Sequence, residues 1–284
     1  MPRIGAHVSI AGGFWRAIHR GMELGCEAIQ IFTKNTNQWR AKPLERDEIL
    51  KWNSARSESG IHPIVAHSSY LINIGTDDGS LWEKSIASLE CELERCEVLA
   101  IPYFVLHPGS HRGRGAEYGL KRAAEALNRV HGEHSDWRVV ICIEHMSGQG
   151  NVLCSSLEET ARLLNLVEDK KRMGVCLDTC HLFEAGYDYR TPRRYLSFMR
   201  QLDETVGAHF VKCWHINDSK SALGSRVDRH QHIGQGEIGC KGIALVLNDP
   251  QWLDHPMLLE TPKEKDPLLW DRKNLQVLRE LRQA

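Results

Sequence analysis

Six short apolar segments of this chain each run into a residue that can bind a metal ion. The residues that end these segments are His67, His107, Glu144, Asp178, His215 and Glu260. Side chains at the ends of separate strands can meet only if the strands run in the same direction around one centre. The mouth of a parallel β/α barrel has this geometry, and barrel enzymes carry their chemistry there. The pattern therefore predicts a metal site at the carboxyl ends of barrel strands.

Apolar runs and helical patterns alternate along the whole chain and give eight βα units. The first two strands cover about Ile4–Val8 and Ala28–Phe32, and the other six end at the six residues named above. Helical patterns cover about 13–24, 44–59, 81–99, 117–131, a segment capped by Ser156, 191–206, 242–248 and 267–282. This alternation is typical of the α/β class and predicts a single (β/α)8 TIM barrel, a fold of about 250 residues. A doubly wound open sheet is the alternative, but its sites gather at one switch point.

The 284 residues contain neither a Pro/Gly/Ser-rich linker nor a break in composition, so we expect one domain over residues 1–284. The formal net charge of −1 predicts no bulk attraction to nucleic acid or to an anionic membrane. A site for a polyanion would need local positive charge or bound metal. Three of the nine cysteines, Cys142, Cys176 and Cys213, lie in apolar strand segments, which is typical of reduced core residues in a cytoplasmic protein. Neither a signal peptide nor a membrane helix of ~20 apolar residues is expected.

Two local motifs add further ligands to the strand-end residues. Asp178-Thr-Cys-His181 places an imidazole one turn after a strand-end carboxylate, and Asp228-Arg-His230 lies in a long loop. The full candidate set is His67, His107, Glu144, Asp178, His181, His215, Asp228, His230 and Glu260. Nine ligands are too many for one tetrahedral ion and fit a cluster of two or three ions with a bridging carboxylate. Mixed imidazole and carboxylate ligands favour Zn²⁺, with Mn²⁺ or Fe²⁺ as alternatives. Four further histidines near the mouth are candidates for supporting the ligands: His7, His111, His145 and His232.

Several longer motifs resemble the endonuclease IV family, and the resemblance extends from Ile4 to about Pro262. They include Gly5-Ala-His-Val-Ser9, Phe32-Thr-Lys-Asn35, Ser69-Tyr-Leu-Ile-Asn73, His107-Pro-Gly-Ser-His111, Gly174-Val-Cys-Leu-Asp-Thr-Cys-His181, Ala185-Gly-Tyr-Asp188, His215-Ile-Asn-Asp-Ser-Lys220, Gly224-Ser-Arg-Val-Asp-Arg-His230 and Leu259-Glu-Thr-Pro262. The resemblance implies an apurinic/apyrimidinic endonuclease on a (β/α)8 barrel with three zinc ions. It implies hydrolysis of the phosphodiester 5′ to an abasic site, which leaves a 3′-hydroxyl and a 5′-deoxyribose phosphate, together with trimming of blocked 3′ ends in base excision repair.

The resemblance also implies a role for each candidate ligand. His67 and His107 would hold one zinc ion and share Glu144 with a second. Asp178, His215 and Glu260 would complete the second, and a third would be bound by His181, Asp228 and His230. Glu144 and Glu260 are the carboxylates that we expect to be catalytic.

The expected partner is double-stranded DNA that contains an abasic site, bound by a monomer. Tyr70 and Leu71 match the family's wedge, which fills the space left in the base stack. Lys220, Arg226 and Arg229 lie beside the ligands and could contact phosphates.

The loop after the second strand contains Asn37 and Gln38, and related proteins often have an arginine at the position of Asn37. In two more places the chain departs from the family pattern: Ser68 stands where Asp is usual, and His145-Met146 where Asn-Thr is common. The first departure bears on the wedge and the others on hydrogen bonds to the ligands.

Two other functions fit parts of the pattern. Sugar isomerases and epimerases share this barrel but need fewer metal ligands, and the Asp228-Arg-His230 motif argues against them. A protein that binds lesions without cutting them would be expected to lack a ligand, and all nine are present.

Overall fold

Eight parallel strands form a closed barrel in the computed structural model, which describes residues 1–263 and 266–282. The barrel strands are β1 (Arg3–His7), β2 (Ala28–Phe32), β3 (Ile64–His67), β4 (Tyr103–Leu106), β5 (Val140–Glu144), β6 (Met173–Asp178), β7 (Val211–His215) and β10 (Pro256–Leu259). They follow one another around the barrel in chain order, and β1 closes it by pairing with both β2 and β10. The predicted (β/α)8 TIM barrel is therefore confirmed.

The helices of the described residues connect the strands and pack against them from outside. They are α1 (Phe14–Leu24), α2 (Arg46–Ser59), α3 (Gly79–Val98), α4 (Ala116–Glu133), α5 (Leu157–Leu166), α6 (Thr179–Ala185), α7 (Pro192–Thr205), α8 (Gly239–Leu247) and α9 (Pro267–Leu281). Local sequence sets several helix starts. Ser156 accepts the N–H of Glu159 as the predicted cap of α5, and Pro192 occupies the first turn of α7. None of the helices described is long and apolar enough to cross a membrane.

The period of the strands explains why the candidate ligands share one end of the barrel. Successive side chains of a strand point to opposite faces, so residues two apart point to the same side. The small inner cluster of buried side chains comprises Ala28, Val65, Val105, Cys142, Cys176, Cys213 and Leu258. Two positions after six of these residues stand His67, His107, Glu144, Asp178, His215 and Glu260. The ligands therefore form the next inward layer, which opens at the mouth.

Three predicted strand ends differ from the observed ones by a single residue, and the first is that of β1, which ends at His7 rather than at about Val8. Strand β4 ends at Leu106 rather than at His107, and β10 ends at Leu259 rather than at Glu260. The side chains of His107 and Glu260 still continue the series of inward-facing positions of their strands. Helix α2 begins at Arg46 rather than near Leu44, and α8 begins at Gly239 rather than Gly242.

The segment after β7 contains regular structure that the sequence did not predict. Strand β8 (Asp218–Ser219) pairs antiparallel with β9 (His230–Gln231). The carboxylate of Asp218 accepts backbone N–H groups at the other end of the loop, from Gly234, Gly236, Ile238 and Gly239. This pairing holds the Asp228-Arg-His230 motif against the barrel mouth.

Candidate metal centre

Glu144 lies at the centre of the cluster of candidate ligands and is fully buried. Its Oε2 lies 2.9 Å from His107 Nε2 and 3.2 Å from His67 Nε2. Its Oε1 lies 3.1 Å from His215 Nδ1 and 3.2 Å from His181 Nδ1. One oxygen thus faces a first group of candidate ligands, and the other faces a second.

The second group consists of Glu144, Asp178, His215 and Glu260, whose ligand atoms all lie within 4.8 Å of one another. His215 Nδ1 is 3.1 Å from Glu260 Oε2 and 3.8 Å from Asp178 Oδ2. The side-chain amide of Gln30 supports this group: its Nε2 donates to Glu260 Oε1 at 2.6 Å, and its Oε1 lies 2.9 Å from His215 Nε2.

A third group forms where α6 meets the β8–β9 loop. Asp178, His181 and His230 offer ligand atoms within 4.8 Å of one another. Asp228 Oδ1 lies 3.2 Å from His181 Nε2 and 3.5 Å from His230 Nε2. Asp178 also caps α6, because its Oδ1 accepts the N–H groups of Cys180 and His181. All nine candidate ligands are therefore gathered at one mouth.

The hydrogen bonds of the imidazoles fit bound cations. His181 Nδ1 lies 3.0 Å from the His145 carbonyl oxygen, and His230 Nδ1 lies 3.1 Å from the Glu260 carbonyl oxygen. A carbonyl oxygen can only accept, so each Nδ1 carries a proton, and in the neutral imidazole that binds a metal each Nε2 then offers a lone pair. The two Nε2 atoms then face each other at 3.4 Å. Two lone pairs repel at that distance unless a cation lies between them.

The same argument shows which ring nitrogen is left to bind a metal in two further imidazoles. His67 Nδ1 donates to the Ser68 carbonyl at 2.8 Å, which leaves Nε2 for the first group. His215 Nε2 faces the Gln30 side-chain oxygen, which leaves Nδ1 for the second group. Ligand histidines of metal sites are commonly oriented in this way by an oxygen on the other ring nitrogen.

The carboxylates make the site strongly attractive to positive charge. Burial alone would lower the pKa of His215, but Glu260 and Glu144 hold that pKa well above its usual range. Burial likewise opposes the charged form of Glu144, yet His215 and His107 hold the pKa of Glu144 well below its ordinary value. Four carboxylates at one mouth need cations to balance their charge, and bound metal ions can supply them.

A cavity of about 310 Å³ opens onto the cluster, and its wall contains both candidate metal ligands and a residue that was predicted to contact DNA. Tyr70 lies on its wall and is 66% exposed, whereas Leu71 beside it is half-buried. The other predicted DNA-contacting residues are exposed around the mouth: Asn37, Gln38, Lys220, Arg226 and Arg229.

The four histidines that were predicted to support the ligands differ in whether they contact the ligand cluster. His7 Nδ1 lies 3.2 Å from Glu260 Oε1, and His145 binds His181 through its carbonyl rather than its ring. Burial and the nearby His181 lower the pKa of the His145 ring to about 3. His111 accepts N–H groups of its own loop, and His232 stacks on Trp270, so neither supports the cluster through the contacts described.

Sequence reasoning missed three polar residues that hold the ligands. Gln30 binds the second group, Asn217 donates to Asp178 Oδ2 at 2.7 Å and accepts the Glu260 N–H, and Glu184 binds the loop of Asp228. A signal for Gln30 was present, because it is a polar residue at an inward position of an otherwise apolar strand. Asn217 and Glu184 follow strand ends by a few residues, where many polar residues occur without such a role.

The chain matches known proteins over its full length. The family model described as a xylose isomerase-like TIM barrel matches residues 18–281. A protein of Chloroflexus aurantiacus named probable endonuclease 4 is 48% identical over 284 residues, which are 100% of this chain and 99% of that protein.

Two solved structures extend the comparison. The crystal structure of endonuclease IV from Thermus thermophilus superposes with a TM-score of 0.85 at 39% identity and covers 98% of this chain and 99% of that one. A 3-keto-D-glucoside 4-epimerase from E. coli shares the fold, with a TM-score of 0.71, 15% identity and coverage of 99% and 100%. The Chloroflexus and Thermus proteins are similar enough in sequence to indicate more than the fold, and they agree with each other, whereas the epimerase indicates the fold alone. The chain belongs to the endonuclease IV family of xylose isomerase-like TIM barrels.

Proposed function

We propose that this chain is an apurinic/apyrimidinic endonuclease of DNA repair that hydrolyses the phosphodiester 5′ to an abasic site. The products would be a 3′-hydroxyl and a 5′-deoxyribose phosphate. The observation that carries the proposal is the joining of three ligand groups at one open mouth in a member of the endonuclease IV family. A sugar epimerase of the same barrel type would not need the third group, which Asp228 and His230 add.

We propose that the three groups hold three metal ions, with zinc as the first choice and Mn²⁺ or Fe²⁺ as alternatives. His67, His107 and Glu144 would hold one, and Glu144, Asp178, His215 and Glu260 a second; His181, Asp228 and His230 would hold the third, with Asp178 close by. Imidazole and carboxylate ligands together suit zinc. Bound ions of this kind lower the pKa of water and neutralise negative charge on a phosphate.

The residues of the chain have separate tasks in this reaction. Glu144 is fully buried and joins the first and second groups, so its task is to hold these two groups in a fixed position relative to each other. Glu260 has an 18% exposed side chain on the wall of the cavity, so it can contact both the ligand cluster and the space where a phosphate would bind. Gln30 and His7 hold Glu260 Oε1 from behind and leave its Oε2 directed at His215.

Residues at the rim would recognise the damaged duplex. Extrusion of an abasic nucleotide costs little because its base is missing, and an inserted side chain can fill the gap in the stack. Tyr70 and Leu71 are placed for that task, and the Tyr70 ring packs edge-on against Phe32, with centroids 5.6 Å apart. Lys220, Arg226 and Arg229 would contact backbone phosphates, and Asn37 and Gln38 the opposite side of the gap.

The test is incision of a duplex with one synthetic abasic site by the purified protein, by protein stripped with a chelator, and by stripped protein with zinc restored. We expect a single cut 5′ to the site, with a 3′-hydroxyl end that a polymerase can extend, lost on stripping and regained with zinc. A duplex with a blocked 3′ end tests the trimming activity in the same way. Tight binding without cutting by zinc-loaded protein would favour a lesion-binding protein instead.

We also propose that the protein acts as a monomer in the cytoplasm. All ligand groups at the mouth come from one chain, and the nine cysteines are free thiols, none of them exposed. Reduced, buried cysteines are typical of a reducing compartment. Light scattering of the zinc-loaded protein, with and without a duplex, would measure the number of chains in the complex.

A further inference from the structure

Glu184 is a buried carboxylate that none of the three ligand groups includes. It lies on α6, three residues after His181, and its side chain is inaccessible to solvent. Its Oε2 accepts the backbone N–H of Asp228 at 2.5 Å, and its Oε1 accepts the hydroxyl of Ser219 at 2.8 Å. The N–H of Arg229 lies 3.3 Å from both oxygens. No lysine or arginine of the described residues forms an ion pair with Glu184, so backbone and hydroxyl donors hold the carboxylate.

The loop that Glu184 binds has a backbone that needs such support. Arg226 and Asp228 adopt φ angles of +55° and +73°, in the left-handed region that side chains other than glycine's rarely occupy. The N–H of Arg226 donates to the main-chain oxygen of Glu184 at 3.0 Å. Glu184 therefore grips the segment from Arg226 to Arg229 through both its main chain and its side chain.

One short helix thus joins the parts of the third group. Helix α6 is capped by Asp178, carries His181 one turn later, and carries Glu184 one turn after that. Through Glu184 the helix sets the distance to Asp228 and, two residues further on, to His230. Residues behind metal ligands commonly change metal affinity by 10–100-fold when they are replaced.

We propose that Glu184 is a positioning residue for the third ligand group and sets the affinity of this site for one of three metal ions. This inference rests on the proposed function, because it needs three ions to be bound. A glutamine in its place would keep one acceptor oxygen but replace the other by an N–H₂ group and remove the negative charge, so the donors of the loop lose an acceptor atom and the charge that strengthens their hydrogen bonds.

The experiment measures zinc content rather than activity. Wild-type protein and Glu184→Gln are dialysed against buffers of graded free zinc, and bound zinc is determined by elemental analysis. We expect both proteins to bind three ions at saturation, with the affinity for one ion lowered by roughly 10–100-fold in Glu184→Gln and the other two unchanged.

Glu97→Gln is the matched control. The Oε1 atom of Glu97 on α3 also accepts two backbone N–H groups, those of Arg138 and Val139, each at 2.6 Å, but lies away from the ligand groups. This variant removes the carboxylate charge from two backbone N–H groups, while its amide oxygen can still accept both, and it should keep three ions of wild-type affinity.

The outcomes separate the inference from the proposed function. Fewer than three ions on saturated wild-type protein would overturn the proposed metal count, whatever the variant does. Three ions of unchanged affinity in Glu184→Gln would overturn the role of Glu184, and so would an equal weakening of all three. If circular dichroism shows that Glu184→Gln does not fold, Glu184→Asp takes its place, because it keeps the charge and draws the oxygens back by one methylene. We expect it to weaken the same single ion, and unchanged affinity would again overturn the inference.

Discussion

At the scale of single residues, the site depends on carboxylates that burial would otherwise make unfavourable. Glu144 and Asp178 are fully buried, and Glu260 is held at the cavity wall by Gln30 and His7. An unpaired buried charge is costly, so each carboxylate is surrounded by imidazoles and N–H donors. Removal of one carboxylate charge therefore changes the charge balance of the cluster without changing its shape.

Glu260→Gln tests the catalytic role of this carboxylate. Glutamine has nearly the same size, so we expect the barrel to keep its circular dichroism spectrum. It lacks the negative charge beside His215, and we expect cleavage of an abasic duplex to fall by at least about 100-fold. Glu204→Gln, at an exposed position of α7, should cut normally. Turnover of Glu260→Gln near that of the wild type would contradict the role.

His131 on α4 makes a second prediction, which concerns stability. Burial and the nearby Arg172 lower the pKa of His131 to about 4, and both ring nitrogens are buried without a hydrogen-bond partner among the described residues. The unfolded chain takes up a proton near pH 6.5, whereas the folded chain does so only near pH 4. His131 therefore adds no pH-dependent cost above pH 6.5 and destabilises the fold progressively as the pH falls from 6.5 to 4.

We expect His131→Leu to remove this penalty. The difference in free energy of unfolding between His131→Leu and wild type should rise by up to about 3 kcal/mol in favour of the variant between pH 7 and pH 4. Urea unfolding at several pH values measures it. His209→Leu, at an exposed imidazole, is the control for replacement of a histidine by leucine. A constant difference for His131→Leu would mean that the ring takes up its proton at the same pH in the folded and the unfolded protein, and would contradict the lowered pKa.

The candidate ligands could be predicted from sequence because each follows an apolar strand at the inward phase. That signal is periodic and therefore visible in one chain. Gln30, Asn217 and Glu184 hold the ligands through contacts between segments that are far apart in sequence; Gln30 and Glu260, for example, are 230 positions apart. Such contacts depend on how the barrel closes, so a local pattern does not contain them.

At the scale of elements, α3 joins the two loops that carry the expected DNA contacts. Arg95 Nε donates to the Thr33 carbonyl at 2.6 Å, and its Nη1 donates to the Lys42 carbonyl at 2.8 Å, so it spans the base of the loop after β2. One turn earlier, Glu92 accepts the N–H and hydroxyl of Ser69 in the loop after β3. Glu92 also pairs with buried Lys34 at 3.5 Å, whose Nζ donates to the Gln38 carbonyl. One helix therefore fixes Asn37 and Gln38 relative to Tyr70 and Leu71.

Arg95→Lys tests this connection, because lysine cannot hold both carbonyl oxygens in the same way. We expect the free energy of unfolding to fall by about 2 kcal/mol and KM for the abasic duplex to rise severalfold, with kcat within about twofold of the wild-type value. Arg56→Lys is a close control, since Arg56 donates to the carbonyls of Leu99 and Ala100, which directly follow α3, and contacts neither of the two loops through these hydrogen bonds. It should lose stability without a change in KM. Equal KM values for both variants would mean that Arg95 has only a structural role.

Elements were predictable where they were long. The barrel strands and eight helical segments carry clear periods, but α6 has seven residues and the strands of the β8–β9 pair have two each. A segment of seven residues contains less than two full helical periods, and a strand of two residues contains a single strand period. Such segments therefore give no repeating pattern that could be detected in the sequence. They form because Asp178 caps α6 and Asp218 gathers four N–H groups of the loop.

At the scale of the whole molecule, the positions of positively charged side chains matter more for DNA binding than the net charge of the chain. The chain has a formal net charge of −1, yet Lys220, Arg226 and Arg229 are exposed beside the ligand groups. A chain with a net charge of −1 would neither attract nor repel DNA strongly as a whole. Binding would therefore depend on the few lysine and arginine side chains that contact phosphates. Each cation that contacts duplex DNA displaces counterions and adds about 0.9 to the slope of log Kd against log salt.

The triple variant Lys220→Gln, Arg226→Gln, Arg229→Gln tests this placement. Combined with Glu260→Gln to prevent cutting, it should reduce that slope by about 3 relative to Glu260→Gln alone, because three phosphate contacts are lost. Fluorescence anisotropy of a labelled abasic duplex at several salt concentrations measures the slope. A second triple variant at exposed cations of the outer helices, Lys51→Gln, Arg193→Gln, Arg200→Gln, has the same net charge and should leave the slope unchanged. An equal reduction in both triple variants would mean that net charge governs binding, and the mouth would then not be the place where the duplex backbone lies.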